Sequence, residues 1–430
     1  MYYQSLNGES TKVNFETALK KGLADDGGLY FPENIIPLDS DFIKNIENYS
    51  NIEIGLKVIK QFVGTTIKET DLKEILSKTI DFDFPLIEIE KDIYTLELFH
   101  GPTLAFKDVG ARFMANCLGH FNKDNSKLNT VLVATSGDTG AAVANGFYKV
   151  KGTNVIILYP KNKVSEIQER QLTTNGNNIY ALRVNGSFDD CQKMVKKAFI
   201  DKEFNEKFNL TSANSINVAR WLPQSLYYFF AYKILKKENL VFSVPSGNFG
   251  NICAGLVAKK LGLPISHFIA STNENDTIPR FFKSQVLKPK PTIQTISNAM
   301  DVSKPSNFVR IQEMYHNFKN LSEIMSSYSF NDKQTLDAVK RVYENKNYVL
   351  DPHGAVGYLG LKKFLSSNQD RIGIFLETAH PIKFSEHIEK VIERKLDVPE
   401  SINKILLSEK KYIDVNDYND FKEKMLFLKY

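Results

Sequence analysis

From residue 93 onward, short runs rich in β-branched, aromatic and leucine side chains alternate with runs whose apolar residues recur at helical spacing. Strand-like runs fall at 93–99, 130–134, 154–159, 178–184, 240–244, 267–271 and 372–377. Helical spacing marks the intervening 109–118, 141–150, 164–175, 189–200, 216–236 and 249–261. This rhythm constrains the fold more than any other feature, because each helix must return the chain to the starting edge of a parallel sheet. The units are too many for one sheet of ordinary size, so two α/β domains are expected. Residues 1 to about 85 read as a mixed helical region, with a short helix over 14–23 and a turn at Asp25-Asp26-Gly27-Gly28. Segment 273–310 reads as an excursion from the α/β core, and the charged, amphipathic tail after about 398 as a peripheral cap. The expected division is 1–90 for the N-terminal domain, 91–235 for a smaller α/β domain and 236–430 for a larger one.

The turns from strand to helix are where such a fold places its chemistry. At the first of them the chain reads His100-Gly101-Pro102-Thr103-Leu104-Ala105-Phe106-Lys107-Asp108. A lysine held at that turn behind a bulky phenylalanine is partly desolvated, which favours the neutral amine and suits Schiff-base chemistry. Thr135-Ser136-Gly137-Asp138-Thr139-Gly140 follows the run 130–134 and opens a helix of small residues. Its free N–H groups, positive dipole end and hydroxyls form a cradle for a carboxylate or phosphate. Ser246-Gly247-Asn248-Phe249-Gly250-Asn251 repeats this arrangement after 240–244. It matches neither a dinucleotide fingerprint nor a Walker loop, so a single phosphate fits it better than a nucleotide. In Asn214-Ser215-Ile216-Asn217-Val218-Ala219-Arg220 the first two residues can cap a helix, with a guanidinium one turn in. That pairing suits a phosphate dianion. Thr378, just after the run 372–377, offers a hydroxyl that can meet a heterocycle nitrogen. Taken singly, each of these features also fits an ordinary capped helix, a tight turn or a surface charge.

Other classes of function lack support. Lysine and arginine number 55 against 50 acidic residues, and the resulting +5 is spread along the chain, with no arm that suggests nucleic acid. Cys117, Cys191 and Cys253 form no disulfide framework and no metal pair, and His353 and His380 are not spaced as metal ligands. No metal is expected. There is no apolar run long enough to span a membrane and no leader pattern at the start, so a cytoplasmic location is expected.

One desolvated lysine, two glycine-rich cradles and a strand-end hydroxyl together fit a pyridoxal-phosphate enzyme: lysine for the carbonyl, one cradle for the cofactor phosphate, the other for substrate.

The chain also resembles a known family. The motifs at 100–108, 135–140, 158–161, 185–192, 214–220, 245–251, 351–357 and 378–384, with Gly-Leu-Ala-Asp-Asp-Gly-Gly-Leu-Tyr-Phe-Pro-Glu at 22–33, are similar to those of the threonine synthases, in family order over nearly the whole chain. The resemblance implies the type II pyridoxal-phosphate fold, like tryptophan synthase β, with an additional N-terminal domain. It implies conversion of O-phospho-L-homoserine and water to L-threonine and phosphate, by a lyase acting on a carbon–oxygen bond to phosphate. Lys107 would anchor the cofactor and move protons. Gly247, Asn248, Phe249, Gly250 and Asn251 would hold its phosphate, Thr378 would face its ring nitrogen, Phe106 would help pack its ring, and Asp138, in the substrate loop, would also contact the cofactor. Thr135, Ser136 and Thr139 would bind the substrate, and Asn214, Ser215 and Arg220 its phosphate. Two departures stand out: Leu6-Asn7-Gly8 replaces the usual Thr-Arg-Gly, and Asp138 stands where many relatives carry Asn, which leaves its protonation open. The alternative is a phospho-lyase giving 2-oxobutyrate; a dehydratase or a non-catalytic phosphometabolite binder fits less well. The expected partner is a small molecule, with neither nucleic acid nor membrane, and the expected state a monomer or weak homo-oligomer.

Overall fold

The β-then-α rhythm builds two sheets. The computed structural model describes residues 1–123 and 128–427. A six-stranded sheet has the order Met325–Ser329, Ile265–Thr272, Leu240–Pro245, Ile372–Glu377, Ile93–Glu97 and Leu86–Glu90, with only the last strand antiparallel to its neighbour. A five-stranded sheet, parallel throughout, runs Ile413–Val415, Ile179–Val184, Thr153–Pro160, Asn129–Ala134 and Leu210–Ser212. Every residue of Asn129–Ala134 and of Thr153–Pro160 is buried. Helices cover both faces, which explains apolar runs without polar alternation.

Local chemistry sets the helix starts. Ser165 and Ser187 each accept from the backbone N–H three residues on, and Gln168 and Asp190 return the bond, so Glu166–Thr173 and Phe188–Ile200 begin on capping boxes. One expected helix is broken. In place of a continuous helix over 216–236 there are Val218–Trp221, a 3-10 turn Leu222–Ser225 and Leu226–Leu235. Pro223 lies in that turn; it lacks an N–H and its ring crowds the preceding turn.

Two segments cross the expected boundaries. Ile93–Glu97, expected in the smaller domain, pairs with Ile372–Glu377 in the six-stranded sheet. The tail, expected as a peripheral cap on the larger domain, instead joins the smaller sheet: Ile413–Val415 extends its edge beside Ile179–Val184. Phe421 and Met425 are buried there with Leu132, Ile156 and Leu182. Periodicity shows that a segment is a strand or an amphipathic helix but carries no information about which edge or face receives it.

The N-terminal region contains the helices Phe15–Lys21, Ser40–Lys44, Asn51–Val63 and Glu69–Thr79, and also a small antiparallel pair, Tyr3–Ser5 with Tyr30–Pro32. It docks against the α/β core through polar contacts. Asn217 Nδ2 and Thr211 Oγ1 donate to Leu19 O at 2.8 and 3.1 Å. Among the described residues no helix is long and apolar enough to cross a membrane.

Candidate active site

The carboxyl ends of four parallel strands meet at one cleft. Ser246 follows Leu240–Pro245, Thr135 follows Asn129–Ala134, Thr378 follows Ile372–Glu377, and Asn214 lies just beyond Leu210–Ser212. Open parallel sheets place ligands at this edge, because helix N-termini point there. Phe106, Lys107, Thr135, Ser136, Asp138, Thr139, Asn214, Ser215, Arg220, Gly247, Asn248, Phe249, Gly250, Asn251 and Thr378 all border it.

Lys107 opens the helix Lys107–Phe121. Its loop is stitched to the strand end beside it: Phe106 N donates to Thr378 O at 2.9 Å, and His380 N to Leu104 O at 3.1 Å. Burial pushes the Lys107 ammonium down to about 8; Asp138 opposes the shift, and Lys383 and Arg220 add to it. A substantial neutral fraction at mildly alkaline pH makes this amine a usable nucleophile. The next residue, Asp108, is buried under Thr103, whose N–H donates to its Oδ2 at 2.9 Å. Burial raises that carboxyl to about 6 despite the hydrogen bonds from Thr103.

The loop 246–251 is shaped for a phosphate. Gly247 faces the backbone of Ala299 and Met300, and a Cβ there would lie 2.8 Å from Ala299 O. Phe249 sits in the left-handed region at φ 63°, a costly conformation for a bulky residue, and immediately precedes the helix Gly250–Lys260. Asn251 accepts the Tyr228 hydroxyl on Oδ1 at 2.7 Å, while its buried Nδ2 has no partner among the described residues. A buried donor left over beside a helix N-terminus fits an anion.

The loop 135–140 is shared between structure and ligand. The Thr135 hydroxyl accepts from Gly137 N at 3.0 Å and Gly140 N at 2.9 Å, so it braces the turn, whereas Ser136 and Thr139 are only half-buried. Asp138 begins the helix Asp138–Gly146 and is buried between Lys107 and Lys383. Burial alone would raise its carboxyl; the two ammonium groups outweigh that and hold it well below the usual range. The ammonium groups on either side thus favour the ionised form of Asp138.

Arg220 is 3 % exposed and forms no ion pair with the described residues. Its Nη1 donates to Ala213 O, and its buried Nε has no partner among the described residues. Burial lowers it to about 10, still cationic at neutral pH. Asn214 is held by donation from its Nδ2 to Ala134 O at 3.0 Å, and Ser215 Oγ accepts from Asn307 Nδ2 at 3.0 Å.

His353 is a buried structural histidine that also borders the cleft. Its Nδ1 lies 2.6 Å from Asp351 Oδ1, and its Nε2 accepts from Ala299 N at 3.2 Å. Asp351 Oδ2 accepts the N–H groups of Thr378 and Ala379 at 3.3 Å, so the carboxylate also fixes Thr378. Sequence reasoning assigned no role to Lys383, whose Nζ lies 2.6 Å from Asp138 Oδ1, nor to Gln224 and Met300 in the cleft wall.

A lysine of depressed basicity, an anion-ready helix start with a spare donor, and a strand-end hydroxyl define a pyridoxal-phosphate-dependent enzyme of the type II fold. Residues 84–376 match the family profile for pyridoxal-phosphate dependent enzymes; 2–80 match the threonine synthase N terminus and 354–424 its C-terminal part. The sequence is 46% identical over 406 residues to threonine synthase of Buchnera aphidicola subsp. Acyrthosiphon pisum (strain APS), covering 94% of each chain. The structure is similar to that of threonine synthase from Escherichia coli, with a TM-score of 0.94 and 40% identity over 99% of both chains. It is also similar to pyridoxal-phosphate-bound threonine synthase from Brucella melitensis, with a TM-score of 0.92 and 33% identity over 99% and 98% of the two chains. The chain belongs to the threonine synthase family.

Proposed function

We propose that the cleft residues divide among themselves the reaction that defines this family, conversion of O-phospho-L-homoserine and water to L-threonine and phosphate. Bound in the cleft, pyridoxal phosphate supplies an electron sink for negative charge developed on the substrate's carbon chain. The backbone N–H groups of 247–251 and the spare Asn251 Nδ2 hold its phosphate at the start of Gly250–Lys260. The Thr378 hydroxyl holds the ring nitrogen, Phe106 packs on the ring, and Asp138 borders it from the opposite loop. Lys107 anchors the cofactor, and its freed Nζ takes the proton from the substrate's Cα.

Ser136 and Thr139 receive the amino-acid end of the substrate, with Thr135 bracing their turn. Asn214, Ser215 and Arg220 hold the leaving phosphate. Arg220 supports the choice of substrate class: a buried guanidinium with an unused Nε and no ion-pair partner among the described residues suits a phosphate dianion. As donors fixed in advance, these groups stabilise charge as it develops on the phosphate, so their loss slows turnover as well as weakening binding.

The domain reading becomes an N-terminal unit ending near residue 80–90, followed by two interleaved α/β units, supported by the strand crossings at 93–97 and 413–415. A cytoplasmic monomer or weak homo-oligomer completes the proposal; three buried free cysteines support a reducing compartment. Incubation with O-phospho-L-homoserine should release phosphate and threonine in equal amounts. Phosphate accompanied by 2-oxobutyrate instead would overturn the assignment in favour of the phospho-lyase.

A further inference from the structure

Arg310 is fully buried in the helix Phe308–Tyr315 and does not border the cleft, yet it connects three of its supports. A guanidinium has five N–H donors, and here each has a carbonyl-type acceptor. Nε and one N–H of Nη2 reach Tyr30 O at 3.2 and 3.0 Å, in the N-terminal strand pair. The other N–H of Nη2 reaches Ile216 O at 2.6 Å, and Nη1 reaches Ser215 O at 3.1 Å, both in the loop that leads into the helix Val218–Trp221 of Arg220. The last donor goes to Asn307 Oδ1.

Asn307 passes the connection on. Its Nδ2 donates to Ser215 Oγ at 3.0 Å and to Asn248 O at 2.9 Å, and its backbone N donates to Asn248 O at 3.1 Å. At the same junction a Cβ on Gly250 would lie 3.3 Å from Ser215 Cβ and 3.5 Å from Asn307 Nδ2. The two anion loops therefore touch, and Arg310 with Asn307 forms the clamp behind them.

The charge is as informative as the geometry. Arg310 forms no ion pair with the described residues; carbonyl oxygens and the Trp221 ring, 5.0 Å from the guanidinium carbon, are its surroundings. An unpaired buried cation is costly. The cost is recovered when an anion binds nearby, and two anion sites lie directly beyond the residues it holds.

We propose that Arg310 is a positioning residue for phosphate recognition: it fixes the backbone of 215–216 against the cofactor loop and supplies an uncompensated positive charge behind both phosphate sites. The proposal rests on the reading of Asn214, Ser215 and Arg220 as the substrate-phosphate site. It also gives the N-terminal domain a part in catalysis, because Tyr30 O holds two of the five donors.

The test uses full-length holoenzyme and measures three quantities: kcat, KM for O-phospho-L-homoserine, and Ki for inorganic phosphate as product inhibitor. Arg310→Met should raise both KM and Ki about tenfold, the scale of a charged hydrogen bond lost behind the site, with a smaller fall in kcat. Arg310→Lys keeps the charge without the fork and should recover part of the phosphate affinity. A folded Arg310→Met enzyme of lowered Tm but unchanged phosphate Ki would overturn the proposal, because a purely structural role predicts that result. Should Arg310→Met not fold, Asn307→Asp decides: it sets a carboxylate against the guanidinium and should raise the phosphate Ki, and an unchanged Ki is equally fatal. Arg220→Ala separates the two readings. If Arg220→Ala leaves the phosphate Ki unchanged, the site assignment itself fails; if it raises Ki while Arg310→Met does not, only the clamp fails.

Discussion

Lys383 Nζ lies 2.6 Å from Asp138 Oδ1, with both side chains sealed from solvent at 0 % and 3 % exposure. Lys383 also donates to Thr103 O at 2.9 Å, and Gln168 Nε2 donates to the same Asp138 oxygen at 3.0 Å. The pair joins the turn after the strand Ile372–Glu377 to the first residue of the helix Asp138–Gly146, and of the two only Asp138 borders the cleft. It places a compensated negative charge next to Lys107.

Removing one partner of a buried pair strands the other. Lys383→Met should lower unfolding free energy by about 3–5 kcal/mol, measured by denaturant titration. Lys383→Met combined with Asp138→Asn should recover part of that loss, since the carboxylate that Lys383 paired is gone too; Lys107 loses its anionic neighbour in the same variant, which limits the recovery. Equal instability of the single and double variants would show that the ion pair is not what Lys383 contributes.

The same geometry sets a pH dependence. Burial holds the free Lys107 amine at about 8, and its neutral form is the one that reacts with an aldehyde. Uptake of pyridoxal phosphate by cofactor-free protein should therefore speed up as pH rises through about 8 and then level off. In Lys383→Met one repelling cation is gone, so the midpoint should move upward. A wild-type midpoint near the ordinary lysine value would refute the desolvated site. Lys107→Ala should neither retain the cofactor covalently nor turn over substrate; appreciable threonine from that variant would remove Lys107 from its role.

Arg220→Ala deletes a buried cation that has an unused Nε and whose backbone packs against the Lys107 helix. A Cβ at Gly110 would come within 2.2 Å of Arg220 O, so the two helices are in close contact and a change confined to the side chain should leave the backbone in place. The KM for O-phospho-L-homoserine should rise by about 10- to 100-fold, the value of charged hydrogen bonds to a phosphate. Steady-state kinetics with an unchanged KM would count against the phosphate site.

The loops of this site were legible because they announce themselves locally. Glycines with hydroxyl and amide neighbours after a β-rich run can only be a turn into a helix, and a lysine or arginine there stands out. Lys383 and Arg310 carry no such mark. Lys383 sits in Thr-Ala-His-Pro-Ile-Lys-Phe, where its burial depends on Thr103 O and Asp138, both far away in sequence. Arg310 inverts the usual pattern: it is fully buried while its neighbour Val309 is 41% exposed. Its acceptors at Tyr30, Ser215 and Ile216 are set by tertiary structure alone. The strand crossings at 93–97 and 413–415 have the same origin, since a period of two fixes a strand's faces and leaves its neighbours undetermined.

Gly247→Ala tests the cofactor-phosphate loop through space alone. The added Cβ would lie 2.8 Å from both Ala299 O and Met300 Cα, and these are backbone atoms that cannot rotate aside. Ala299 is itself pinned, because its N–H donates to His353 Nε2 at 3.2 Å and His353 is locked to Asp351. Either the segment around 299–300 or the loop 246–251 must shift, and the helix start at Gly250 moves with the latter. Pyridoxal phosphate affinity, followed by its absorbance on titration into cofactor-free protein, should fall about tenfold, since hydrogen bonds to a charged phosphate are strongly distance-dependent. Gly176→Ala is the control. Gly176 also has a positive φ, 65°, but nothing lies within 4 Å of its Cβ position, so that variant pays only the backbone strain of about 1–2 kcal/mol in stability. If both variants bind the cofactor as well as the wild type does, the close approach at Gly247 plays no part in holding the phosphate.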